Sequence, residues 1–156
     1  MDGREDPVEI GRAGPLDGPA VAAILERYFD AIELPPEHRD DPAEIASYLV
    51  PPRGLWLARQ GGRVLGAIAL RPLAGHAGAC EIKRLFVEPE ARGRAIAHRL
   101  LDALEDAART AGYARAYLDS REDLTAALAF YERRGYRRCE RYNDNPEATH
   151  FLRREL

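Results

Sequence analysis

The sequence predicts one α/β (α+β) domain over residues 1–156, with a mixed, mostly antiparallel central sheet of about seven strands flanked by about four helices. Three observations predict it. At 156 residues, with 46% hydrophobic and 31% charged side chains, the chain has material for one core and too little length for two. Apolar residues recur with period two in some segments and at helical spacing in others. Glycine and proline mostly fall between those segments, where they punctuate turns.

The elements follow in order. Val8-Glu9-Ile10-Gly11-Arg12 alternates apolar and polar side chains, a short strand. Asp17 suits a helix N-cap with Pro19 in the first turn, and Val21, Ile24, Leu25 and Tyr28 recur at helical spacing until Pro35-Pro36. Pro42 opens a second helical stretch through Ile45 and Leu49. Residues 55–59 and 64–70 flank Gly61-Gly62, a hairpin whose second arm is apolar enough to be covered on both faces. Residues 80–87 form the next strand. Ile96, Leu100, Leu104, Ala107, Ala108 and Ala111 stripe a long helix that ends at Gly112. Residues 114–118 return as a strand, and Leu124, Ala127, Leu128 and Tyr131 mark a last helix ended by Gly135. Residues 136–142 and 150–156 are expected as two closing strands around the turn Asn143-Asp144-Asn145-Pro146.

Composition narrows the function. A net charge of -3 argues against a nucleic-acid or anionic-membrane surface. Apolar runs such as Ala67-Ile68-Ala69-Leu70 are too short to span a bilayer, and the acidic start at residues 1–6 lacks the layout of a signal peptide. Cys80 and Cys139 form no CxxC pair, so a reduced, cytoplasmic setting is expected. His38, His76, His98 and His150 are scattered without ligand spacing, so no metal is expected. No nucleophile elbow or Walker loop is present. Lys83 is the only lysine, which singles it out.

The stretch FVEPEARGRAIAHRLL, residues 86–101, runs from a strand end through Pro89 into a helical pattern. A helix N-terminus carries unpaired amides and partial positive charge, which suits a phosphate. The turn at Arg92, Gly93, Arg94, Ala95, Ile96 and Ala97 can aim such amides at one point, with two arginines adding attraction. Ala95 and Ala97 fit this use if their backbone is already helical. An exposed, arginine-rich helix start without a ligand is the alternative that spacing alone leaves open.

Arg92-x-x-Ala95-x-Ala97 matches the acetyl-CoA motif R/Q-x-x-G-x-G/A with alanine for the first glycine. Ala127, Tyr131, Gly135 and Tyr136 match A-x-x-x-Y-x-x-x-G-F/Y. With both motifs in this order, the chain resembles the GNAT superfamily of N-acetyltransferases over nearly its whole length. Residues 81–87 and 142–146 are similar to stretches of a bacterial, small-molecule-type subgroup. Leu124 departs from the pattern, since many relatives carry asparagine there.

The resemblance implies acetyl-CoA as co-substrate, lying between the strand at 81–87 and the strand at 115–118. Backbone groups of Leu85, Phe86 and Val87 would pair with the pantetheine arm, and the amides of Arg92 to Ala97 would hold the pyrophosphate. It implies direct transfer to the primary amine of a small, amino-acid-like molecule. Such an amine is mostly protonated at neutral pH, and Glu81 is implied as the general base that takes its proton. Tyr131 is implied as the acid that protonates the departing thiolate. Tyr28, Phe29, His38, Arg84, Tyr142, Asn143 and Asn145 are expected to line the acceptor pocket, where cations suit a carboxylate-bearing amine. A protein or peptide N-terminus as acceptor, and a non-catalytic CoA-binding module, are the alternatives. The C-terminal strands offer an edge for a homodimer.

Overall fold

The computed structural model describes residues 5–156; most of the acidic start read above, residues 1–4, lies outside them. Strands β1 (Val8–Arg12), β2 (Gly54–Gln60), β3 (Arg63–Pro72), β4 (Ala79–Val87), β5 (Arg115–Ser120), β6 (Arg137–Arg138) and β7 (His150–Glu155) join in one sheet. Their order is β1-β2-β3-β4-β5-β7-β6. Every neighbouring pair is antiparallel except β4 and β5. The helices are α1 (Gly18–Ala31), α2 (Pro42–Ser47), α3 (Ile96–Thr110) and α4 (Thr125–Arg133). The mixed, mostly antiparallel sheet predicted from periodicity is therefore present.

Local chemistry explains the joints. Gly61 and Gly62 take φ of 55° and 82°, the paired left-handed values of a tight hairpin turn, which side chains resist. Asp17 does not cap α1 as expected; its carboxylate accepts from the Gly14 amide at 2.7 Å and from Arg59 at 2.7 Å.

Alternation along the strands sends side chains to two cores. On one face Ile68, Ile82, Leu118 and Leu152 meet Leu100 and Leu104 of α3 and Leu128 of α4. On the other, Leu55, Leu57, Ala67, Ala69 and Phe86 meet Val21, Ile24, Leu25 and Phe29 of α1. A Cβ at Gly66 would stand 2.7 Å from the Phe86 carbonyl oxygen, so bare backbone is what lets β3 and β4 close here.

Two irregularities position the site. Ala67 faces Phe86 and Ala69 faces Lys83, so Arg84 and Leu85 together oppose Ile68, and this bulge carries Arg84 at φ 61°. The second is a parting of strands. β4 and β5 pair only through Ala79–Arg115, Cys80–Ala116 and Glu81–Tyr117, after which β4 runs on to Val87 and β5 to Ser120 without bonding.

The closing segment differs from expectation. Of residues 136–142 only Arg137–Arg138 are strand, and the Cys139 amide bonds to the Phe151 carbonyl at 2.8 Å. Beyond it, Tyr142 and Asn143 turn their side chains onto Glu81 and Asp119, which draws the backbone off the ladder. Cys80 and Cys139 are both free thiols.

Candidate active site

Where β4 ends, a short turn at Pro89–Ala91 leads through Gly93, at φ 81°, to Ala95, at φ 59° and ψ 20°, and then into α3. The Arg99 amide is the first of the helix to find its carbonyl, Ala95 at 3.1 Å. Among the described residues, the amides of Gly93, Arg94, Ala95, Ile96, Ala97 and His98 have no acceptor in the chain. Such a run of unpaired donors at a helix start is an anion cradle. Ala97 is helical, as its use requires. Ala95 is not; it occupies the left-handed region, a correction to the expectation that both alanines are already helical. The strain falls where the motif's first glycine stands in the family pattern. Arg92 reaches back, its Nε donating to the Val87 carbonyl at 3.2 Å.

The cradle follows the end of β4 that has parted from β5. Phe86 and Val87 are buried, with Leu85 half-buried beside them. Tyr131, from α4, is buried on the α3 side of the sheet, packed edge-on against Phe130 and Tyr136. Its hydroxyl has no hydrogen-bond partner among the described residues. Burial first, with the neighbouring Tyr28 phenol and the negative charges of Glu105 and Asp119 adding, raises its pKa, so the phenol keeps its proton. Tyr28 comes from α1 on the opposite face, its ring 5.8 Å from that of Phe86.

On the α1 side lies a cavity of about 380 Å³. Its charged lining comprises Asp40, Glu44, Arg71, Lys83, Arg84, Asp119, Arg121, Asp144 and Glu147, joined by His38, Leu124, Asn143 and Asn145. Of the residues expected in the acceptor pocket, His38, Arg84, Asn143 and Asn145 line it. Tyr28 and Phe29 sit in the wall behind, Phe29 beneath the Arg84 guanidinium at 5.2 Å. Tyr142 is turned onto Glu81. Several of these groups are already paired: Arg84 grips Asp40 through two bonds of 2.9 and 2.7 Å, and the His38 ring lies 2.7 Å from the Glu147 carboxylate.

Glu81 sits behind this wall with no solvent exposure. One oxygen accepts from Arg71 Nε at 2.6 Å; the other accepts from Tyr142 at 2.7 Å and Asn143 at 3.1 Å, with Lys83 Nζ 3.7 Å away. Asp119 is its neighbour across the gap. Lys83 Nζ lies 3.3 Å from both Asp119 oxygens, and Asn143 and Asn145 donate to Oδ2 at 2.6 and 3.3 Å. Burial pushes the Asp119 carboxyl up, but Lys83 and the two asparagines outweigh it and hold it below its ordinary value.

Sequence reading missed Asp119, Arg71, Asp40 and Glu44. The one available signal was Lys83, singled out only for being alone. Leu124, where many relatives carry asparagine, lines the cavity and leaves α4 without a side-chain cap.

Parted strands, a run of free amides where β4 gives way to α3, and a cavity on the α1 side are the features of this site, and they suit the class of acyltransferases that use a phosphate-bearing carrier. Residues 19–136 match the model of the acetyltransferase (GNAT) family, and the chain belongs to that family. It is an acetyl-CoA-dependent acyltransferase, and acetyl-CoA is the co-substrate. It is 34% identical over 133 residues to an IAA acetyltransferase of Azospirillum brasilense, a match covering 83% of this chain and 84% of that one. In fold it is similar to a GNAT-family acetyltransferase of Staphylococcus aureus, with a TM-score of 0.84 at 20% identity over 96% of this chain and 99% of that one. It is also similar to N-acetylglutamate synthase of Neisseria gonorrhoeae complexed with coenzyme A and N-acetyl-glutamate. That match has a TM-score of 0.78 at 23% identity and covers 98% of this chain but 36% of that one. Among the described residues no helix is long and apolar enough to cross a membrane.

Proposed function

We propose that the protein acetylates the primary amine of a small, amino-acid-like molecule by direct attack on the thioester. The observation that carries this reading is the acceptor cavity, which abuts the strand gap and carries both carboxylates and guanidinium groups. An acceptor bearing an amine and a carboxylate finds partners of both signs there. The gonococcal neighbour's complex, with N-acetyl-glutamate, is consistent with an acceptor of this class.

Acetyl-CoA supplies an activated acetyl group. The six free amides from Gly93 to His98 hold its diphosphate, while the unpaired edge of β4 at Leu85, Phe86 and Val87 offers backbone groups to the pantetheine arm. Tyr131, protonated and without a partner among the described residues, is the acid for the leaving sulfur. Glu81 is the base. The acceptor's proton reaches it through Tyr142, which takes a proton on its oxygen while passing its own to Glu81 Oε2. Arg71 fixes the carboxylate's orientation for that transfer.

The test is thiol release from acetyl-CoA with a panel of amino acids and alkylamines, alongside calorimetry with acetyl-CoA alone. Amine-dependent release is expected. Binding of acetyl-CoA without release by any amine favours the non-catalytic module, and release only with peptides favours an N-terminal acceptor.

A further inference from the structure

We propose that Asp119 is the anchor of the acceptor's ammonium group, holding the primary amine at the parting of β4 and β5; this rests on the amine-acetylating activity proposed above. The placement comes first. Asp119 lies two residues past the last β4–β5 pair, Glu81–Tyr117, and so shares a sheet face with Tyr117 and Glu81. It borders the acceptor cavity directly, whereas Glu81 does not. Any amine that approaches the gap from the cavity meets the Asp119 carboxylate before it meets Glu81.

The carboxylate is built to stay charged and to stay put. Its side chain is 7% exposed, and Lys83 reaches across the gap to it. Asn143 and Asn145 both bond to Oδ2, leaving Oδ1 with Lys83 alone and spare capacity to accept. Lys83 is shared, since Glu81 lies 3.7 Å from the same nitrogen. The cavity wall as a whole carries five carboxylates against four lysine or arginine groups, a balance that favours a cation. The charge of Asp119 adds to the raised pKa of both Tyr131 and Tyr28, the two phenols on either face of the gap.

Glu81 is unsuited to this duty. Its two oxygens already take three donors, and it has no exposed surface. The two carboxylates therefore divide the work, one holding the ammonium and the other receiving the proton.

The experiment compares Asp119→Asn with wild type on ethylamine, an ammonium near neutral pH, and on 2,2,2-trifluoroethylamine, which is neutral there. An anchor for positive charge predicts that kcat/KM for ethylamine falls about 100-fold in the variant, while the trifluoro amine changes by less than about 5-fold. KM for acetyl-CoA should stay within about 2-fold, because the cradle lies elsewhere. Equal losses for both amines, or no loss for ethylamine, overturn the anchor. A second measurement needs no variant: tetramethylammonium should compete with ethylamine against the wild-type enzyme and not with acetyl-CoA, and absence of that competition also overturns it. Wild type that transfers to no amine overturns the proposed activity and the anchor together; wild-type turnover with an Asp119→Asn variant that treats ethylamine normally overturns the anchor alone.

Discussion

Tyr142 donates its hydroxyl hydrogen to Oε2 of Glu81 across 2.7 Å, and the carboxylate that receives it has no exposed surface. A loop residue far along the chain thus completes the surroundings of a residue on a central strand. Burial first, then the negative charge of Glu81 and Asp119, raises the pKa of Tyr142, so this phenol enters any proton transfer as a donor.

Glu81→Gln keeps the shape of the side chain and removes its charge. Loss of a general base lowers kcat/KM for the amine by about 100-fold or more, with acetyl-CoA affinity little changed. Tyr142→Phe should lower the same constant and leave the cradle untouched. Steady-state kinetics with calorimetric Kd values check both, and a Glu81→Gln enzyme with wild-type kcat/KM removes Glu81 as the base.

Tyr131→Phe removes a phenol that has no partner among the described residues. A fall in kcat of about 100-fold is expected if it protonates the leaving sulfur. Because its folded pKa is raised above 10.0, the acid form persists through neutral and mildly alkaline pH. The kcat profile should therefore show no falling limb from this group below that value. A Tyr131→Phe enzyme with unaltered kcat across pH would falsify the assignment.

Ala95 stores backbone strain at the cradle, since an L-residue in the left-handed region costs about 1–2 kcal/mol. Ala95→Gly relieves it, partly offset by the extra freedom of glycine in the unfolded chain, so Tm should hold or rise by about 2–4 °C. Coenzyme A binding should be retained or tightened. Ala95→Val, a branched residue at φ 59°, should lower Tm and weaken coenzyme A binding. Thermal unfolding and calorimetry separate the two outcomes.

Glu105, 2% exposed, holds three partners: Arg134 at 2.7 Å, Arg154 at 2.7 Å and the Tyr136 hydroxyl at 2.8 Å. This ties α3 to the end of α4 and to β7. Removing one member of a buried charge network leaves the others uncompensated, so Glu105→Ala should destabilise by about 3–5 kcal/mol. Denaturant unfolding measures it; a change below about 1 kcal/mol contradicts the network's role.

Asp119 links stability to acid. Its folded pKa lies below the unfolded 3.8, so the ionised form stabilises the fold above that value and the contribution is lost as pH falls through the folded pKa. Tm of the wild type should hold level from neutral pH down to the carboxylate range and then drop. Asp119→Asn should flatten part of that drop.

The family and its co-substrate were legible in the residues. The spacing of Arg92, Ala95 and Ala97 against Ala127, Tyr131, Gly135 and Tyr136 pointed to the family, because a helix start and a helix stripe are local features with fixed periods. The acceptor side was not legible in this way. Asp40, Arg71, Lys83 and Asp119 come from four separate segments, and Asp119 reads in sequence only as a polar residue closing an apolar strand.

Residue order alone determined the helices, the hairpin and most of the strands, since periodicity, glycine and proline act within a few residues. The αL backbone of Ala95 and the bulge at Arg84 were decided by packing against neighbours distant in the chain. So was the short β6, where the chain surrenders strand hydrogen bonds to set Tyr142 and Asn143 onto buried acids. Only when the tertiary structure closed did the two carboxylates take different surroundings, because charge and burial depend on which segments meet.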